Sequence, residues 1–115
     1  MSERSSLLRV GDQKLTLTSE GYLCDLTRWD RSVGQALAAQ DDLRLEAPHW
    51  EILFYLREFY AEFQHTPPMR ALVNALKERF GADKGNSAYL HHLFPKGPAK
   101  QASRLAGLPK PSRCT

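Results

Sequence analysis

The stretch from Pro48 to Phe63 is apolar on nearly every side of the helix that its spacing predicts, and this constrains the fold more than any other part of the chain. Ile52, Leu56, Phe59 and Phe63 form one stripe. Trp50, Leu53, Phe54 and Tyr60 widen it until only Glu51, Tyr55, Glu58 and Glu62 are left for solvent. Such a helix must be packed on most sides, which places it at the centre of the fold.

The flanking sequence supplies the cover. Leu7-Leu8-Arg9-Val10 and Lys14-Leu15-Thr16-Leu17, broken at Gly11-Asp12, predict a β-hairpin. Glu20-Gly21 makes a second turn, so that Tyr22-Leu23 can add a third short strand. Helical spacing begins near Trp29 and continues through Val33, Ala36 and Leu37, with Thr27 or Asp30 as cap, and fades at Gln40-Asp41-Asp42. After the central helix, Thr66-Pro67-Pro68 provides a cap and a proline at the first helical position. Met69, Leu72, Val73, Leu76 and Phe80 then carry a helix to Gly81. Asn86 or Ser87 caps a short helix that Pro95 ends; Pro98 starts another, with Ala102, Leu105 and Ala106 inward and Gly107 as its stop. The fold class is α+β: a small N-terminal antiparallel β-meander packed on about five α-helices, within a single domain, 1–115. Beyond it runs a C-terminal arm, 108–115. Pro109 and Pro111 deny the arm a helix or a central strand, so it is expected to leave the globule as a mobile, semi-extended rod with few apolar groups to dock.

Charge divides the chain unevenly. Residues 1–64 carry 7 basic and 11 acidic side chains, and residues 65–115 carry 9 and 2. From Lys96 onward there are five basic residues, Lys96, Lys100, Arg104, Lys110 and Arg113, and no acidic one. They are candidates for docking on an acidic partner surface, though nothing approaches a dense basic tract. No apolar run approaches the ~20 residues of a membrane span, and the opening residues have no apolar signal core behind them. A soluble cytoplasmic protein that needs no membrane is expected.

The chemistry centres on Cys114. Its thiolate is the nucleophilic form, and an unperturbed thiol with a pKa near about 8.5 is only slightly ionised at neutral pH. Arg113 favours ionisation and a carboxylate at Thr115 opposes it, so activation is expected inside a partner's site. Cys24, beside the third strand, reads as a half-buried structural thiol. The two cysteines are too few for a metal cluster, and no CxxC pair exists. His91 and His92 are adjacent on a helix and point about 100° apart, which argues against a shared metal ligand set. Arg57, on the side of the central helix that carries Trp50 and Leu53, either snorkels to the edge or orients the returning arm.

The wording of the chain is also recognisable. Gly21-Tyr22-Leu23, Trp29, His49-Trp50-Glu51, Leu56-Arg57-Glu58-Phe59-Tyr60, Pro68 with Arg70, Gly81 through Leu90, and the terminal Leu108-Pro109-Lys110-Pro111-Ser112-Arg113-Cys114-Thr115 occur in the order typical of one family. From about Glu20 to Thr115 the chain resembles the DsrC/TusE family of small sulfur-relay proteins. The resemblance implies the same α+β fold and makes Cys114 the catalytic residue, a carrier that holds sulfur as a persulfide without metal or organic cofactor. It also implies partners: a TusBCD-type donor complex whose TusD-like subunit gives the sulfur, and an MnmA-type thiouridylase with bound tRNA that receives it for 2-thiolation of the wobble uridine. Arg57, Lys96, Lys100, Arg104, Lys110 and Arg113 are the tentative docking residues.

Two departures from the family pattern stand out. The second cysteine that DsrC-type members place eleven residues before the terminal one is Ser103 here, which disfavours a DsrC-like partner of sulfite reductase and leaves a single carrier thiol. Where relatives cap the central helix with Ser or Thr, this chain has Glu46. An alternative of another class is a nucleic-acid-binding regulator, with the helices flanking Thr66-Pro67-Pro68 as a helix-turn-helix and Arg70, Asn74, Lys77 and Arg79 as a modest recognition surface.

Overall fold

The computed structural model describes residues 6–111. Strands β1 (Ser6–Val10) and β2 (Gln13–Leu17) form an antiparallel hairpin in which Leu8 faces Leu15 and Ser6 faces Leu17. Gly11, at φ +60°, supplies the left-handed turn. Alternation puts Leu8, Leu15 and Leu17 in the core and leaves Leu7 in solvent. The expected third strand is reduced to a single bridge between Leu17 and Leu23. Local hydrogen bonding explains this: the Thr18 hydroxyl accepts the N–H groups of Glu20 and Tyr22, and Asp25 at once caps a 3-10 turn over Leu26–Arg28.

Five helices follow: α1 (Arg31–Gln40), α2 (Ala47–Phe63), α3 (Met69–Phe80), α4 (Ser87–Leu93) and α5 (Pro98–Leu105). Asp30 caps α1 through the Val33 N–H, and Asn86 caps α4 through the Tyr89 N–H. At the start of α2, Glu46 stands at the cap position and His49 completes the turn. His49 Nδ1 accepts the Glu46 N–H, so its Nε2–H donates to the Leu93 carbonyl. Thr66 is no cap for α3, because the cap position falls on Pro68 and the Thr66 hydroxyl turns elsewhere.

Ile52, Leu53 and Leu56 of α2 are fully buried, as the stripe requires. The helix is nonetheless less enclosed than its sequence suggests: Phe54 is 38% and Phe63 50% exposed. Much of the centre belongs to α5, which packs on α1, α2, α3 and α4. Its Ala102, Ser103 and Leu105 are wholly buried, and small side chains there let four helices approach one short one. No helix among the described residues is long and apolar enough to cross a membrane.

Candidate functional site

The arm emerges from α5 through a tightly specified exit. Ala106 is the C-cap, and Gly107 follows at φ +72°. The Leu108 N–H donates to the Ser103 carbonyl and the Gly107 N–H to the Arg104 carbonyl, which together form a Schellman motif. Trp29 closes the turn from outside. Its Nε1–H donates to the Leu105 carbonyl at 2.9 Å, and a Cβ on Gly107 would lie 2.4 Å from the Trp29 ring. Arg57 reaches the same place from α2. It donates to the Ala106 carbonyl at 2.7 Å and to the Leu26 carbonyl at 3.2 Å, with its guanidinium 4.6 Å from the Trp29 ring centre. Burial lowers the Arg57 pKa from its ordinary value, yet an arginine stays charged, so two carbonyls and a ring face share one cation.

The arm stays attached beyond this exit. Leu108 is 1% exposed, the Thr66 hydroxyl donates to the Pro109 carbonyl, Lys110 pairs with Glu20 at 2.9 Å, and Pro111 is buried. The expected departure at Leu108 is thus corrected: residues 108–111 lie on the globule, held by the buried Leu108 and Pro111 and by polar contacts that no local pattern foretells. Arg113 and Cys114 lie outside the described residues.

Four of the tentative docking residues share one groove. Lys96, Lys100, Arg104 and Lys110 line a cavity of about 510 Å³ together with Glu20 and Asp41. Asp41 organises it by accepting from Arg104, from Gln101 at 2.9 Å and from Lys96 at 3.4 Å. Burial would raise the Asp41 carboxyl, but the Gln101 hydrogen bond and the charges of Arg104 and Lys96 outweigh it and hold the group below the usual carboxylate range. Arg57 is not in this groove; its guanidinium is directed to the arm's exit.

Cys24 departs from expectation, since its side chain is exposed and lines a second cavity with Pro109 and Lys110. Ser103 is wholly buried, and its hydroxyl has no hydrogen-bond partner among the described residues. The α3 surface offers less free charge than its sequence implies, because Arg79 is paired with Glu58 at 3.2 Å and lies over Tyr55 and Phe80.

The sequence profile described as "DsrC like protein" matches residues 9–115. The chain belongs to this family. Among its relatives, "Sulfurtransferase TusE" of Salmonella choleraesuis is 51% identical over 102 residues, which is 89% of this chain and 94% of the relative. "Sulfurtransferase TusE homolog" of Haemophilus influenzae is 44% identical, covering 94% of this chain and 99% of its own length. The NMR structure of Allochromatium vinosum DsrC superposes with a TM-score of 0.90 at 45% identity, covering 97% of this chain and all of that one. The crystal structure of the oxidised γ-subunit of dissimilatory sulfite reductase (DsrC) from Archaeoglobus fulgidus gives 0.84 at 40% identity, covering 96% of this chain and all of that one. Family and relatives agree on sulfur transfer as the chain's general role, and the fold is that of DsrC. Within this DsrC-like chain, the Trp29–Gly107 contact and the Asp41 cluster are the site features that the sequence left unassigned. Their partners lie about sixty to eighty residues apart in the chain, beyond any local periodicity. Trp29 stands among the quoted markers and Gly107 directly precedes the terminal one, and this is the signal that could have joined them.

Proposed function

We propose that this chain is a one-cysteine persulfide carrier. The Cys114 thiolate attacks the outer sulfur of a donor persulfide, and the donor cysteine leaves as a thiolate. Cys114 then holds that sulfur as a persulfide, and an acceptor cysteine thiolate takes it and regenerates the Cys114 thiolate, so that no net oxidant or reductant is needed. The donor in this reading is a TusBCD-type complex with a TusD-like subunit. The acceptor is an MnmA-type thiouridylase bound to tRNA, which activates the wobble uridine itself.

The observation that carries the reading is the clamped arm base: the Schellman turn, Trp29 and Arg57 hold residues 105–108 in one orientation. Cys114 follows six residues beyond Leu108. A fixed origin with a short tether confines the thiol to a small volume, which raises its effective concentration at a docked partner. A DsrC-like role with sulfite reductase is less favoured, because position 103 carries a serine rather than a second thiol.

Intact-mass analysis after incubation with a persulfide donor provides the test. The expected result is a reducible gain of one sulfur atom, mapped to the C-terminal peptide and absent from Cys114→Ser, whose melting temperature is unchanged. Restoration of tRNA 2-thiolation in cells carrying only Cys114→Ser would overturn the reading.

A further inference from the structure

The groove between the hairpin exit and α5 is arranged for exchange of charge. Three of its four cations hold carboxylates: Arg104 and Lys96 share Asp41, and Lys110 holds Glu20. Lys100 is exposed and has no ion-pair partner among the described residues. Its backbone carbonyl accepts from the Tyr22 hydroxyl, so its place in the wall is held while the ammonium stays in water. The pairs differ in kind. Asp41 and Arg104 have side chains only 10% and 13% exposed, whereas Lys110 and Glu20 are 42% and 57% exposed. An exposed pair contributes little to stability, so an arriving carboxylate can replace Glu20 at little cost.

We infer that this groove docks a carboxylate-bearing segment of a protein that exchanges sulfur with Cys114. Its acidic side chains take Lys100 and Lys96 and replace Glu20 on Lys110. The inference rests on the carrier reading and adds the chemistry of the partner's contact. A protein segment fits better than RNA. The mostly buried Asp41 is a permanent negative charge in the groove, and it repels the closely spaced phosphates of a nucleic-acid strand. Side-chain carboxylates are discrete and can be spaced around it. Reach agrees with this assignment. Lys110 precedes Cys114 by four residues, so a partner anchored there lies within about 14 Å of the thiol's backbone. Exchange at Lys110 alters what the arm's last described residues are tied to while leaving the Trp29–Arg57 clamp in place.

The test titrates the full-length ¹⁵N-labelled chain with a hexaglutamate peptide at low salt. Amide shifts are expected at Gly21, Tyr22, Lys100, Gln101 and Lys110. Lys100→Glu should weaken binding about tenfold, and added salt should weaken it too. Glu20→Gln removes the internal competitor and should tighten binding about twofold. Lys77→Glu makes the same charge change on the exposed side of α3 and should leave the affinity unaltered. Shifts centred elsewhere, equal weakening by Lys77→Glu, or weaker binding by Glu20→Gln would overturn the inference. Unfractionated tRNA that shifts the same amides at lower concentration than the peptide would overturn it in favour of RNA. Loading of the unmodified chain by glutathione persulfide is measured in parallel. Failure to load defeats the carrier reading, while loading without peptide binding in the groove defeats the docking inference alone.

Discussion

At the C-terminal end of α5, Trp29 and Arg57 hold backbone carbonyls; along the groove beside the same helix, Asp41 and Glu20 hold the side chains of Arg104, Lys96 and Lys110. The first set is short and directional, and its side chains, Trp29 and Arg57, are half-buried. The second grades from the nearly buried Asp41–Arg104 pair to the exposed Lys110–Glu20 pair, and its outer members are the ones that the proposed docking would trade for other carboxylates. The difference teaches how one short helix can serve a mobile chemistry. The origin of the arm is fixed by directional bonds, while the contacts beyond it include an exposed ion pair. The proposed carrier would need both, because its thiol must be presented in a reproducible direction and still be released into another protein's site.

The largest expected effect attacks the constant part. Gly107→Ala places a side chain at positive φ and drives its Cβ into the Trp29 ring, so it should cost about 3 kcal/mol from left-handed strain and the loss of the Trp29 hydrogen bond. Chemical denaturation measures this, and a loss below about 1 kcal/mol would mean that the exit turn relaxes easily and is no clamp.

Asp41→Asn comes next. It keeps an acceptor for Gln101 but leaves the nearly buried Arg104 without its counter-charge, for a cost of about 2 kcal/mol. Sulfur loading of Cys114 by a small persulfide should survive at a temperature where the variant is folded, because the clamp is intact. Loss of loading in the folded variant would show that groove and clamp act as one unit.

Acid separates the groove from the start of α2, where His49 bonds the Leu93 carbonyl outside both regions. Burial lowers the His49 pKa, so the unfolded chain binds its proton first; the stability this neutral ring contributes is complete above about pH 6.5 and declines as pH falls through that value. Asp41 has its pKa lowered overall, so its contribution persists above about pH 3.9 and is lost as pH falls through the folded-state value. Melting curves from pH 7.5 down to about 5 should therefore weaken through His49 while the Asp41 cluster stays intact. His49→Gln should flatten that limb, and an unchanged slope would assign it to another group.

The smallest effect is at the rim. Lys110→Gln removes an exposed ion pair and should change stability by about 0.3 kcal/mol. The Leu108 amide should keep its hydrogen-exchange protection in this variant and at high salt. Faster exchange at Leu108 would show that the rim pair helps to hold the exit turn, and the contrast between the two regions would fail.

Much of this architecture is legible from local pattern. The hairpin follows from alternating apolar residues around Gly11, the α1 start from Asp30, the α4 start from Asn86, and α2 from an apolar surface too broad to leave uncovered. Other readings failed where a second partner, distant or local, competed with the one expected. Thr66 has the chemistry of a cap, but the Pro109 carbonyl takes its hydroxyl. Tyr22-Leu23 has strand character, but the Thr18 turn and the Asp25 cap leave room for only one bridge. Leu108 opens a proline-containing segment, but a buried leucine outweighs the freedom of a terminus.

By itself, then, the sequence determined the hairpin, the five helices, the caps of α1 and α4, the α+β class and the presence of a thiol at position 114, because each depends on residues within a few positions of one another or on the plain presence of a side chain. The tertiary structure alone decided that α5 lies at the centre, that Trp29 and Arg57 grip its last carbonyls, that Asp41 gathers Lys96, Gln101 and Arg104, and that the arm is held as far as Pro111. The hydrogen bonds and ion pairs among them join residues about forty to ninety positions apart, and their free energy exists only once the chain has closed the loops between them.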